Sequence, residues 1–172
     1  MFEGWDSFYL LIGGAAGALI GLLFIVVTLI RGGDPEMKLR TTGVYMTPTV
    51  AHLAMVLVLS ALATAPSVSP TVDGAIFVIC ALACLAFAAR ALMMFTIRSV
   101  QATHWSDIWA YGVGPLIICI GLAASAATAW VSPARAAWGV AASLLALLAL
   151  AIRNAWDLVT WISARGDELG KS

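Results

Sequence analysis

Five long apolar runs separated by short polar breaks constrain this chain more than any other feature. They are Ser7 to Ile30, Val44 to Ala65, Asp73 to Ile97, Ile108 to Val131, and a fifth from near Ala136 to about Ser163. A helix rises about 1.5 Å per residue, so about 20 mostly apolar residues cross the hydrocarbon of a bilayer. Every run is long enough. Strands of a membrane barrel would instead read as short segments alternating between apolar and polar residues, and these runs do not alternate. Composition points the same way. The chain is 62% hydrophobic and 10% charged, where a soluble domain carries about 25% charged residues. That leaves too little polar side chain to cover a water-facing surface. The expected fold is all-α: one integral membrane domain over residues 1–172, a polytopic transmembrane bundle of about five helices.

The breaks carry the topology. They are Arg31 to Arg40 (RGGDPEMKLR), Pro66 to Pro70 (PSVSP), Arg98 to Asp107 (RSVQATHWSD) and Ser132 to Arg135 (SPAR). Cytoplasmic loops carry an excess of Lys and Arg. Arg31, Lys38 and Arg40 lie in the first break, Arg98 in the third, and Arg165 and Lys171 in the tail. The second break and the N-terminal segment have none, and the fourth has only Arg135. This places the N-terminus outside and the C-terminus in the cytoplasm of a multi-pass protein of the cell inner (plasma) membrane. The opening residues hold Glu3 and Asp6 but no basic residue, unlike a cleaved signal peptide. Trp5, Trp105, Trp109, Trp130, Trp138, Trp156 and Trp161 stand near the ends of the runs, where interfacial tryptophans gather.

Two hairpins read as a candidate duplication, helices two and three against helices four and five. Ser60 to Pro70 (SALATAPSVSP) resembles Ser125 to Pro133 (SAATAWVSP). Aligning Pro70 with Pro133 brings Arg90 onto Arg153, Leu82 onto Leu145 and Leu85 onto Leu148. Tyr45 and Pro48 match Tyr111 and Pro115 only across a gap. The competing account is that Ala-rich helices resemble one another by composition.

Several residues stand out within the spans. Gly13, Gly17 and Gly21 form a doubled GxxxG, a flat groove for close approach of another helix of this chain or of a second copy. Gly121, Ser125 and Ala129 are a weaker version. In helix two, Tyr45, Pro48, Thr49 and His52 share a face, and Pro48 is expected to kink the helix. His52 lies about 12 Å into the bilayer. It reads either as a neutral, hydrogen-bonded histidine or as part of a proton or ligand pathway, since its charge changes near neutral pH. His104 is the only other histidine, too remote to complete a metal set. Arg90 and Arg153 lie in apolar surroundings, with Asn154 beside Arg153 and Asp157 one turn on, in pairing position. Charges at membrane depth are costly and suggest function. The alternative is that both arginines snorkel to the headgroups.

Cys80, Cys84 and Cys119 all lie in apolar runs. An odd count without loop cysteines speaks against a disulfide framework, so all three are expected to pack as small apolar residues. Nucleotide-loop, HExxH, CxxC and GxSxG motifs are missing. No enzyme activity, cofactor or metal is expected, and zero net charge implies no nucleic-acid partner. Two functional classes follow. One is a small oligomeric channel or facilitator, its ligand or ion pathway lined by His52, Arg90, Arg153, Asn154 and Asp157. The other is a structural or accessory membrane protein packed against a larger complex, without transport or catalysis; either class allows a homo-oligomer or a membrane-protein partner.

Overall fold

The computed structural model describes residues 1–29, 46–66, 69–97 and 105–169. Arg31, Lys38, Arg40, Tyr45, Arg98, His104 and Lys171 lie outside the described residues. Everything described is helix or short connection. The helices are α1 (Asp6–Leu29), α2 (Thr47–Thr64), α3 (Pro70–Ile97), α4 (Gly114–Ala127) and α5 (Pro133–Leu169). A short helix, Trp105–Ile108, and one π-helical turn, Trp109–Val113, lead into α4, and a 3-10 turn, Thr128–Trp130, follows it. All five are long and apolar enough to cross a membrane once the fourth span is taken as Trp109–Trp130. The chain is a polytopic membrane protein.

α5 is the hub. It packs against α1, α2 and α4, whereas α3 packs chiefly on α4 and α1 chiefly on α2. The sequence of α5 fits that place. Ala136, Ala137, Val140, Ala141, Leu144, Leu147, Leu148, Ala151, Asn154, Ala155 and Leu158 are all buried. This is the wide stripe, three or four positions per two turns, of a helix with neighbours on several sides. Trp138, Leu145 and Ile152, seven residues apart, form an exposed stripe opposite. α3 buries a narrower face of Gly74, Phe77, Ala81, Cys84, Ala88 and Ala91.

Tryptophans mark two levels. Trp5, Trp130 and Trp138 gather at the end where the chain begins: the rings of Trp5 and Trp138 meet edge to face at 4.6 Å. Trp109 and Trp156 mark the opposite end. Trp138 and Trp156 are 69% and 68% exposed. Eighteen residues of helix separate them, about 27 Å, close to the thickness of bilayer hydrocarbon. At the first end Gly4 takes a positive φ of 80°, a backbone that side chains rarely tolerate. That turn folds Phe2 back onto Tyr9 and Phe77, with ring centres 5.1 and 4.8 Å away, tying the N-terminal segment to α3.

Pro48 lies in the first turn of α2, which follows directly on Met46, itself helical. Two readings change. Cys84 and Cys119 are joined as a disulfide between α3 and α4, their Cα atoms 6.0 Å apart, and Cys80 stays free. The odd count concealed one pair because its partners face each other from different spans. The duplicated hairpin is not confirmed: α4 and α5 pack along their length, whereas α2 and α3 touch only slightly. The buried positions of α3 do fall on buried positions of α5 at the shift from Pro70 to Pro133. That shift is a whole number of heptads, so any two helices with heptad-spaced cores would coincide.

Candidate functional site

The polar groups legible in the sequence fall into three separate places. The densest lies at the Trp156 end, where the turn before α4 meets α5. Gly114 donates its N–H to the Trp109 carbonyl, five residues back, the spacing of a π turn. The next bond in that register would run from residue 115 to the Ala110 carbonyl. Residue 115 is proline and has no N–H. Asn154 of α5 supplies the missing donor: its Nδ2 donates to the Ala110 carbonyl at 3.0 Å. In return the Tyr111 hydroxyl donates to the Asn154 carbonyl at 3.0 Å. Asn154 is 1% exposed, so the whole exchange takes place out of contact with solvent or lipid. The close fit is steric as well. A Cβ on Gly114 would meet the Trp109 carbonyl at 2.8 Å and Leu150 Cδ2 at 3.1 Å, and one on Gly112 would meet Leu92 Cδ1 at 2.6 Å.

Asn154 also reaches outward. Its Oδ1 accepts a hydrogen bond from Arg153 Nη1 at 3.3 Å, and Arg153 Nη2 lies 3.2 Å from Asp157 Oδ2. Both members of that ion pair are on the surface, with side chains 45% and 42% exposed. Arg153, Asn154 and Asp157 thus form one cluster, with Asn154 inside and the charges outside.

Arg90 is not part of it. It is exposed on α3, and its level follows from Leu92, which lies against Gly112 in the turn before α4. Arg90 therefore stands near the Trp109 end, at the depth from which a guanidinium reaches headgroups. His52 is in a third place. It is buried at 3% exposure, and its ring stands edge to face with Phe87 of α3 at 6.1 Å. Its Nε2 has no hydrogen-bond partner. Two further buried atoms share that condition among the described residues, Tyr9 Oη and Ser60 Oγ.

The glycines of α1 differ from one another. A Cβ on Gly13 would meet Ser60 Cβ at 2.9 Å, one on Gly17 would make ordinary contact with Leu57 at 3.9 Å, and one on Gly21 would meet open space. Of the three residues of the weaker motif, Ser125 in α4 and Ala129 in the turn after it meet glycines of other helices. Ser125 lies against Gly139, Ala129 Cβ would be 2.7 Å from a Cβ on Gly74, and Gly121 faces Ser143.

The sequence reading missed the Tyr111–Ala110–Asn154 exchange, the cysteine pair, Tyr9 and Ser60. One signal for the first was in view: Pro115 inside an apolar run leaves a carbonyl that some neighbouring polar side chain must serve. No protein-family model, no curated protein and no solved structure matches this chain.

Proposed function

We propose that this protein is a structural or accessory component of a membrane assembly and that it neither transports a solute nor catalyses a reaction. One observation carries the reading: Arg90 and Arg153 both stand on the outside of the bundle. Charges that serve a pathway face it, and these face lipid headgroups or a neighbouring protein. Asn154 is committed to bracing α4 against α5. The described core is otherwise Ala, Leu, Val, Ile, Met, Cys and aromatic side chains, with Thr49, His52 and Ser60 as its other buried polar residues. In this reading the chain lies in the cell inner membrane with its N-terminus outside, and it meets a membrane-protein partner or a second copy.

The test is flux. The purified full chain in liposomes is expected to pass protons, chloride and small neutral solutes no faster than protein-free liposomes do. Flux above that baseline, lost in His52→Ala or Arg90→Gln, would overturn the reading.

A channel or facilitator is the second reading, favoured by His52. Its unpartnered Nε2 is costly to leave buried, and it lies at the contact of α2 and α3, where packing is slight. A polar solute or proton moving between these helices would supply the missing partner.

A further inference from the structure

We propose that Arg153 and Asp157 form a headgroup site for a phospholipid that carries a phosphate next to a primary ammonium. Arg153 precedes Trp156 by one turn, and Trp156 is exposed about one hydrocarbon thickness from exposed Trp138. The pair therefore stands where acyl chains give way to headgroups.

The second element is fixed geometry. An exposed arginine ordinarily samples many rotamers and binds a neighbour weakly for that reason. Here Nη1 is held by Asn154 Oδ1, and Asn154 is itself held by the Ala110 carbonyl inside the bundle. Nη2 is held beside Asp157 Oδ2. The guanidinium is thus linked through Asn154 to the α4–α5 junction while 45% of its side chain stays exposed. A guanidinium has five N–H donors, and these two partners leave most of them open. Asp157 Oδ2 lies 3.2 Å from Arg153, and a carboxylate has a second oxygen with which to accept.

The third element is charge. The two residues neutralise each other, so the pair has no net attraction for an anionic lipid. A neutral pair with separated signs complements a neutral zwitterion with separated signs. The phosphate accepts from Arg153 and the ammonium donates to Asp157. A phosphocholine headgroup offers the same charges, but its quaternary ammonium has no N–H to donate. The site should therefore prefer phosphoethanolamine over phosphocholine, and both over phosphoglycerol. Soluble phosphoethanolamine esters share the chemistry. The lipid is the proposed ligand because the pair stands at the edge of the hydrocarbon.

The test takes the full chain reconstituted in bilayers of equal phosphatidylethanolamine, phosphatidylcholine and phosphatidylglycerol. It is extracted in mild detergent, and the retained lipid is counted by mass spectrometry. Wild type should retain phosphatidylethanolamine about threefold over phosphatidylcholine, the scale of one well-held surface ion pair. Asp157→Asn leaves Arg153 unpaired and should shift retention to phosphatidylglycerol. Arg153→Gln should abolish both preferences, and Arg90→Gln should leave the wild-type preference unchanged. Equal retention of the three lipids by wild type would overturn the proposal, as would an unaltered preference in Asp157→Asn. Excess glycerophosphoethanolamine should fail to displace the retained lipid; displacement would show that the ligand is the soluble ester and overturn the lipid assignment.

Discussion

Asn154 shows how one side chain decides the local stability of a membrane bundle. Its amide is the donor for a carbonyl that Pro115 leaves without a helical partner, and lipid offers no substitute. Replacing Asn154 by Leu keeps the branched shape of the side chain and removes the donor. It should cost about 1–3 kcal/mol, the penalty of a buried polar group left unmade, read as the shift in denaturation midpoint in detergent. Tyr111→Phe removes a bond to a carbonyl that still has the helical N–H four residues on, so its cost should be smaller, about 0.5–1.5 kcal/mol. The reverse order would place the critical bond at Tyr111. The cysteines give a separate test. After denaturation without reductant, one thiol per chain, Cys80, should react with maleimide, and after reduction all three should, because Cys84 and Cys119 are paired. Asn154 and Asp157 were legible as polar residues in an apolar run. Their division into an inward brace and an outward ion pair was not, because it depends on which face of α5 meets α4.

At the scale of elements, glycine positions separate a sequence motif from a contact. Gly13, Gly17 and Gly21 look equivalent along the chain, yet only Gly13 lies where a Cβ would press on Ser60. Gly13→Val should therefore lower the melting temperature strongly. Gly17→Ala should have little effect and Gly21→Ala none or a slight gain, since alanine is the better helix former. Equal losses at all three positions would mean that the exposed side of α1 is covered by something else. Gly74→Val and Gly139→Val should resemble Gly13→Val, because Ala129 and Ser125 stand against them. Spacing alone could not rank these positions: Gly74 and Gly139 belong to no repeat and are identified only by what packs on them. Span limits, in contrast, were legible to within a few residues, because hydrophobic length sets them. The π turn before α4 was not, since it arises from Pro115 and from the room that Gly112 and Gly114 leave for Leu92 and Leu150.

At the scale of the molecule, five apolar helices follow from composition and run length, and the packing adds α5 as the hub on which α1, α2 and α4 meet. Topology then follows from the count. An odd number of spans would put the two ends of the chain on opposite sides, and the excess of Lys and Arg in the first and third breaks is the basis on which the N-terminus is proposed to lie outside. Arg31, Lys38, Arg40 and Arg98, which carry that assignment, belong to the sequence argument alone. The most direct test is a pair of reporter fusions to the intact chain, one at each terminus, using one reporter active only outside the cytoplasm and one active only within it. The account predicts that the N-terminal fusion reports the outside and the C-terminal fusion the cytoplasm. Both termini reporting the same side would contradict five spans.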